Sequence, residues 1–322
     1  MSKKSKKTPC QKLKHLGGQA LVSIVIPVFN GSVFIEETVK SVQKSTFKNF
    51  EILLIDDGST DKSKRICNGL EEKYKKVKFY YFNKNRGLGR TLNFALKQAQ
   101  GKYIARINQD DRMLADRLKT QVKFLENHLE VVAVGSYIKM FKDGSEKYEI
   151  IKFLKKDKEI KKLWYIVSPF SDPSVMYRKN TALKASGYDQ SMWPADDTHL
   201  WYRMGQLGKL ANIGKPLVEV RWHQEAASFK YFRKLALSTY KMHLWTDKHI
   251  KKAPFWIHLF WLGQLISGLL FPAEFNWGVY KLIKRFINQF KSFNGFLINF
   301  FAKKIKLAKV IIQPRKLSFS GV

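Results

Sequence analysis

Cysteine is nearly absent from this chain: Cys10 and Cys67 are the only two in 322 residues. A disulfide framework is not expected, neither thiol has the spacing of a metal site, and a reducing compartment follows. Acidic residues are scarce as well, 26 Asp+Glu against 59 Lys+Arg, for a formal charge of +33. That excess goes far beyond what solubility needs and implies an anionic partner, either nucleic acid or acidic lipid. The N-terminal residues carry lysines at positions 3, 4, 6, 7, 12 and 14 but no apolar core of signal-peptide length. Secretion is therefore not indicated, and residues 1–20 are expected to form a solvated basic arm. No internal repeat is evident.

From Leu21 onward, apolar strand-like runs alternate with helical patterns. Strands are expected near 22–28, 51–55, 77–81, 102–107, 131–140 and 217–222, and helices near 33–44, 62–74, 88–99, 113–128 and 197–207. Residues 157–190, with Pro169 and Pro173, are less regular. This alternation predicts an α/β domain over 21–250, built of right-handed βαβ units with a mostly parallel sheet flanked by helices. Ligands of such sheets gather beyond the carboxyl ends of the strands, where Asp56, Asp57, Asp110 and Asp111 fall.

Composition shifts in the tail, 251–322, which holds twelve Lys+Arg and a single acid, Glu274. Residues 255–271 contain no charged side chain apart from His258 when protonated, and Pro254 and Pro272 bracket them. Seventeen residues reach only the low end of a membrane span, so an interfacial or re-entrant helix is preferred over a true crossing. Beyond it Val279, Leu282, Ile283, Phe286, Phe290, Phe293 and Leu297 recur at helical spacing among Lys281, Lys284, Arg285 and Lys291. That is the pattern of a basic amphipathic helix.

Two β-branched runs, Val22-Ser23-Ile24-Val25-Ile26-Pro27-Val28-Phe29-Asn30 and Glu51-Ile52-Leu53-Leu54-Ile55-Asp56-Asp57-Gly58-Ser59-Thr60-Asp61, each end in polar, turn-forming residues. Buried parallel strands deliver functional groups in this way. Further along stand Asn85-Arg86-Gly87-Leu88-Gly89-Arg90-Thr91-Leu92-Asn93, then Ala105-Arg106-Ile107-Asn108-Gln109-Asp110-Asp111, then Ala195-Asp196-Asp197-Thr198-His199-Leu200-Trp201. In this order, these segments resemble the family 2 glycosyltransferases, enzymes of GT-A fold that move a sugar from a nucleotide diphosphate to an acceptor.

The resemblance implies a role for each matching position. Pro27, Phe29, Asn30, Arg90, Asn93, Asn108 and Gln109 would line the nucleotide, and Asp56 and Asp57, with Asp57 favoured, would accept a hydrogen bond from a pyrimidine N3–H. Asp110 first, with Asp111, would hold Mg2+ or Mn2+ against the diphosphate, since hard divalent cations favour oxygen ligands. Asn108 stands where the family often has aspartate, which limits it to support. His223, in Arg221-Trp222-His223, would reach metal or phosphate. Asp197 would be the inverting general base, with Asp196 and Trp193 on the acceptor side. Processive relatives carry Gln-x-x-Arg-Trp; here Val218-Glu219-Val220-Arg221-Trp222 lacks the glutamine, so one sugar per encounter is expected.

Each motif also has a plainer reading. Asp56-Asp57-Gly58-Ser59 can be a turn with Ser59 or Thr60 capping a helix, either acid pair can cap one, and His223 can be a structural hydrogen-bonded residue. The expected activity is transfer from a nucleotide-sugar donor, UDP favoured, to a cell-surface glycan or lipid-linked acceptor. The expected location is the cytoplasmic face of an anionic membrane, peripheral or with one short inserted helix. Nucleotidylyl transfer is disfavoured because Pro27-Val28-Phe29-Asn30 replaces the Gly-rich run expected after the first strand. Nucleic-acid binding would explain the charge but leaves the acidic motifs unexplained, and a nucleic-acid- or membrane-binding protein on an inactive transferase fold is the remaining alternative, since fold does not guarantee activity.

Overall fold

The computed structural model describes residues 21–223, 226, 230–276, 278–279 and 281–282. Strands β1 (Val22–Val28), β2 (Phe50–Asp56) and β3 (Val77–Tyr81) are joined by helices α1 (Ile35–Gln43) and α2 (Ser63–Lys73). Helix α3 (Leu88–Gln98) leads to β4 (Tyr103–Arg106). These four strands run parallel in the order β3-β2-β1-β4, with Val22 to Val28 in register with Phe50 to Asp56.

Period-two alternation assigns the two layers. Ile24, Ile26, Ile52 and Leu54 pack with Val39 of α1 and Leu70 of α2. Val25, Leu53 and Ile55, pointing the other way, pack with Leu92 and Ala95 of α3. Every residue of β1 and β2 is buried, so both sheet faces are covered, as parallel sheets require.

The second half adds β5 (Arg112–Met113), α4 (Arg117–Asn127), β6 (Val131–Phe141), β7 (Tyr148–Ile151), α5 (Asp157–Lys162), a 3-10 turn at Asp172–Ser174, β8 (Met176–Arg178) and α6 (Lys179–Lys184). A second 3-10 turn (Gln190–Met192), α7 (Asp196–Leu207) and β9 (Lys209–Arg221) follow. The sheet continues β4-β8-β6-β9-β5, with β7 on the edge of β6 and antiparallel pairings introduced through β8, β5 and β7.

Of the elements that differ from the sequence expectation, three bear on how the sheet is read. The helix expected at 113–128 begins only at Arg117, because Arg112 and Met113 pair with Glu219 and Val218. The strand expected at 217–222 begins at Lys209; Gly214 and Pro216 obscure its first half, and the register against β6 shifts between Ser136 and Ile138. Strand β8 lies inside the region read as irregular, where three residues are too few to set a period.

After β9 come α8 (Phe232–His249) and α9 (Phe255–Leu270). The first compact unit ends at Leu269 and the second is Leu270–Val322, within which Phe271 and Phe275 stack at 4.8 Å. In the first unit α9 returns along α8: His243 stacks on Trp261 at 4.8 Å, and Ala236 occupies the space a side chain at Gly268 would need. Among the described residues no helix is long and apolar enough to cross a membrane. The basic arm at 1–20 and most of the amphipathic pattern beyond Leu282 lie outside the described residues.

One buried acid ties the parallel half together. Glu51 accepts from Ser23 Oγ at 2.6 Å, Gln100 N at 2.7 Å and Lys78 Nζ at 2.8 Å. Burial alone would raise its pKa, but the hydrogen bonds from Lys78, Ser23 and Gln100 hold the carboxyl below its ordinary value. Its contribution is therefore present above the unfolded-state pKa and fades as pH falls through the lowered folded value. Glu51→Ala is expected to cost roughly 2–4 kcal/mol at neutral pH, measured by denaturant unfolding, with a smaller cost in acid.

Candidate active site

The loops after β1 and β2 are stitched to one another. Asn30, at φ 50°, donates its N–H to Ser59 Oγ at 2.9 Å, while its Oδ1 accepts from Thr60 N at 2.9 Å. Gln109 clamps Phe29 through both backbone atoms, Oε1 accepting from Phe29 N at 2.9 Å and Nε2 donating to Phe29 O at 3.0 Å. Ser59 and Thr60 thus brace the β1 loop instead of capping α2, whose N-cap is Lys62. Phe29 is 42% exposed and faces solvent at this edge, whereas Pro27 is buried in β1.

The two acids after β2 divide their work. Asp57 accepts from Arg86 N at 2.8 Å and Gly87 N at 2.9 Å, drawing the 85–87 loop against the sheet. Asp56 accepts from Ser59 N at 2.7 Å, and its other oxygen is buried with no protein partner among the described residues.

Gly87 has φ 91°, and a Cβ there or at Gly89 would collide with Gln190, whose Oε1 accepts from Arg90 N at 3.2 Å. These glycines admit the 188–193 segment onto the start of α3. Asn93 completes that seam by donating to Tyr188 O at 2.7 Å and accepting from Tyr188 N at 2.8 Å. Both atoms of its amide thus meet a protein loop, while the Arg90 side chain is exposed.

At the end of β4 the adjacent acids separate completely. Asp110 Oδ2 lies 2.8 Å from His223 Nε2, with the two side chains 17% and 23% exposed. Asp111 is buried, accepting from Arg221 N at 3.0 Å and Asn108 Nδ2 at 3.0 Å. Burial, with Asp110 beside it, pushes its carboxyl up to about 8. Of the two acids expected to hold the cation, Asp111 is thus buried and bonded within the protein, while Asp110 is partly exposed beside His223. Neither acid caps a helix, because β5 follows.

Arg221 fixes the arrangement. Its Nε donates to Asp110 O at 2.9 Å, its two Nη atoms bridge Asp143 and Glu37, and the guanidinium lies between the rings of Phe34 and Phe141. Thr38 on α1 secures the same turn, donating to Gln109 O at 2.7 Å and Asp111 O at 2.8 Å. Among the described residues no three His, Cys, Asp or Glu side chains cluster as a closed metal cage. Two donors, one oxygen and one nitrogen, fit a cation that completes its shell with phosphate and water.

The second acid pair opens α7. Asp196 and Asp197 occupy its first turn, where the helix dipole favours negative charge, but neither caps the helix by a side-chain hydrogen bond. Asp197 Oδ1 accepts from Thr198 N at 2.6 Å, and Asp196 Oδ2 is buried with no protein partner among the described residues. Burial first, then Asp172, push Asp196 up to about 7; burial, Asp172 and Asp196 raise Asp197 well above the ordinary carboxyl value. Trp193, three residues earlier, meets Tyr231 edge-on at 4.9 Å under Lys234 Nζ, and its carbonyl accepts from Ser238 Oγ at 2.9 Å.

Sequence reasoning did not single out Arg106 and Asp172. Arg106 is buried, donates through Nη2 to Asn108 Oδ1 at 2.9 Å, and has its Nη2 3.1 Å from Asp172 Oδ2. The available signal was an arginine inside the apolar strand Tyr103-Ile104-Ala105-Arg106-Ile107, which demands a buried acid somewhere else in the chain.

A parallel sheet with acids at its carboxyl edge and an acidic helix start on an adjoining mixed half is the GT-A arrangement. The sequence model of Glycosyl transferase family 2 matches residues 23–186, about half of the chain, and the protein belongs to this family. A UDP-Gal:alpha-D-GlcNAc-diphosphoundecaprenol beta-1,3-galactosyltransferase of Escherichia coli is 27% identical over 270 residues, 83% of this chain and 97% of its own length. A Haemophilus influenzae glycosyltransferase is 40% identical over 118 residues, 36% of this chain and 47% of the relative. One from Rickettsia conorii is 29% identical over 249 residues, 76% of this chain and 41% of the relative, so the chain spans less than half the length of both.

Two solved structures share the fold. S. aureus TarS 1-349 in complex with UDP-GlcNAc has a TM-score of 0.55 at 18% identity, covering 77% of this chain and 81% of that one. The mannosyltransferase PcManGT from Pyrobaculum calidifontis, in complex with GDP-Man and Mn2+, has a TM-score of 0.56 at 17% identity, covering 87% and 85%.

Proposed function

We propose that this glycosyltransferase moves one sugar, with inversion, from a nucleoside diphosphate sugar to a hydroxyl of a lipid-linked or cell-surface glycan acceptor. The carrying observation is that the Asp56/Asp57 loop holds the 86–87 backbone, that Gly89 just beyond it lies against Asp196 Oδ2 of the α7 acid pair, and that the Asp110–His223 pair stands beyond the carboxyl end of β4 in the same sheet. UDP is favoured as the donor nucleotide, a choice supported by the E. coli relative and by the TarS complex with UDP-GlcNAc.

In this reading the nucleoside lies along the Phe29–Asn30 and Asp56–Asp57 loops. Asp110 and His223 would hold Mg2+ or Mn2+, and the cation, when bound, neutralises charge on the departing diphosphate. The acceptor hydroxyl loses its proton to Asp197 as its oxygen bonds to the anomeric carbon, and the raised proton affinity of that half-buried carboxyl suits it to the task. Trp193 gives the acceptor sugar an aromatic face, and Asp196 accepts from a second hydroxyl.

The same reading places the enzyme against an anionic bilayer. On α9, Phe255, Leu259, Leu262, Ile266 and Leu269 form an exposed stripe at alternating four- and three-residue spacing, while Ile257 and Trp261 are buried on another face. On α8 the exposed row contains Arg233, Lys234, Leu237, Lys241, Leu244 and Lys248, with Lys251 and Lys252 exposed beyond it. Each apolar side chain taken from water contributes about 1.5–3 kcal/mol and each cation near an anionic surface about 1 kcal/mol.

A panel of sugar nucleotides incubated with Mn2+ and assayed for donor hydrolysis tests the class and identifies the sugar; inertness toward every donor would remove the reading. Asp110→Ala is expected to abolish Mn2+-dependent UDP binding in calorimetric titration, with unchanged affinity moving the cation elsewhere. Asp197→Asn is expected to keep donor affinity within a few-fold and cut turnover by roughly 10²–10⁴. In flotation the full chain is expected to rise with anionic but not neutral liposomes. The double substitution Leu259→Glu and Leu262→Glu should prevent this while sparing UDP binding. Complete stripping by about 1 M salt would instead mark a purely electrostatic partner.

A further inference from the structure

Gln190 has no assigned part in that chemistry, yet its half-buried side chain lies between the loop held by Asp57 and the start of α7. Helix α3 begins after Gly87, which has no side chain to cap it, so the N–H groups of its first turn need acceptors from elsewhere. Gln190 supplies one from a hundred residues away: Arg90 N, 3.1 Å from Gly87 O, also donates to Gln190 Oε1 at 3.2 Å. The approach is close. A Cβ at Gly87 would lie 2.4 Å from Gln190 Nε2, and one at Gly89 would lie 2.9 Å from Gln190 Oε1 and 3.3 Å from Asp196 Oδ2.

We infer that Gln190 is a positioning residue for sugar transfer: by capping α3 from the 188–193 segment, its amide fixes the distance between the nucleotide-side loop that Asp57 holds and the acid pair that opens α7. This rests on the reading of Asp57 as a nucleotide-side residue and of Asp197 as the base.

The contacts continue in both directions from Gln190. On one side Gly87 N donates to Asp57 Oδ2 at 2.9 Å and Arg86 N to Asp57 Oδ1 at 2.8 Å. On the other, Trp193 N donates to Gln190 O at 3.2 Å and Ala195 N to Met192 O at 2.7 Å. Ala195 is the residue from which α7 starts, with Asp196 and Asp197 in its first turn.

A helix cap needed only for stability is ordinarily a local Ser, Thr, Asp or Asn. One drawn from a distant segment requires two glycines at the helix start and ties two walls of the cleft together. Transfer between two bound substrates needs such a tie, because the reacting groups must be held at near-contact distance. The segment has other anchors. Asn93 donates to Tyr188 O at 2.7 Å and accepts from Tyr188 N at 2.8 Å, and Ser238 and Lys241 of α8 donate to Trp193 O at 2.9 Å and Ser191 O at 3.3 Å. It therefore stays docked when Gln190 is replaced, and what is lost is the cap on the first turn of α3.

The test is hydrogen exchange with UDP and Mn2+ as the probe, on the wild type, Gln190→Ala and Gln190→Met. The first variant shortens the side chain, and the second keeps its length without the acceptor oxygen. In the wild type UDP is expected to slow exchange in 84–92 and also in 189–197. In both variants the first segment should still be protected and the second should not. UDP affinity by calorimetry should stay within a few-fold. At saturating donor, kcat for hydrolysis of the sugar nucleotide that the wild type turns over should fall roughly 10–100-fold, the scale of a misplaced reacting group. Protection of 189–197 that is absent from the wild type or persists in the variants overturns the proposal alone, as does an unchanged kcat; a merely stabilising cap would give that result with a lower melting temperature. Absence of UDP protection in 84–92 of the wild type removes the nucleotide-side reading, near-normal turnover of Asp197→Asn removes the base, and either takes the proposal with it.

Discussion

Burying positive charge is the constraint on which this site depends. Arg106, Arg117 and Arg221 are all buried, and a guanidinium in such surroundings must be matched by acids and carbonyls or the fold does not hold. Each match joins segments that are distant in sequence or turn the chain at a strand end. Arg106 takes Ile107 O, Asn108 and Asp172; Arg117 takes Arg106 O and Val175 O; Arg221 takes Asp110 O, Glu37 and Asp143. The turn after β4, the 3-10 turn at Asp172 and the end of β9 are therefore held in mutual register by ionic contacts that tolerate little displacement. Arginine suits this better than lysine, since its planar fork satisfies several acceptors at once.

From that constraint follows a division among neighbouring acids. Asp110 and Asp111 are adjacent in sequence, but one faces His223 at the cleft and the other is committed to Asn108 and the Arg221 backbone. Asp56 and Asp57 divide in the same way, Asp57 holding the 86–87 backbone while Asp56 keeps one oxygen without a protein partner. In each pair one carboxylate maintains the cleft wall.

Much of this was legible in the sequence because strands and their carboxyl ends are local features. The β-branched runs at 22–28 and 50–56 carried their own period and turn residues, and so marked the right edge of the sheet. What stayed hidden was set by contacts distant in sequence. Nothing beside Gly87 and Gly89 in the sequence shows that their lack of a side chain makes room for Gln190, about a hundred residues away. Ser171-Asp172-Pro173-Ser174 reads as an ordinary turn, and nothing nearby reveals that its acid answers Arg106 across the sheet. Asp110 and Asp111 were indistinguishable by type; which one faces the cleft depends on the backbone turn between β4 and β5.

The helices after β9 pose a different physical question. A helix that is apolar all round is normally buried all round, yet α9 covers only one of its apolar faces with α8 and the Tyr165 segment. In a chain of net charge +33, self-association through that stripe would bring like charges together, whereas an anionic bilayer would satisfy both the stripe and the charge. On the proposed reading this also bears on catalysis. Lys234 lies over Trp193, and Lys241 donates to Ser191 O at 3.3 Å, so the helix that would meet the bilayer also holds the loop leading into Asp196 and Asp197. An acceptor arriving in the plane of the membrane would thus meet the aromatic face of Trp193 before the base, and its orientation would be set by the same helix that sets the enzyme's.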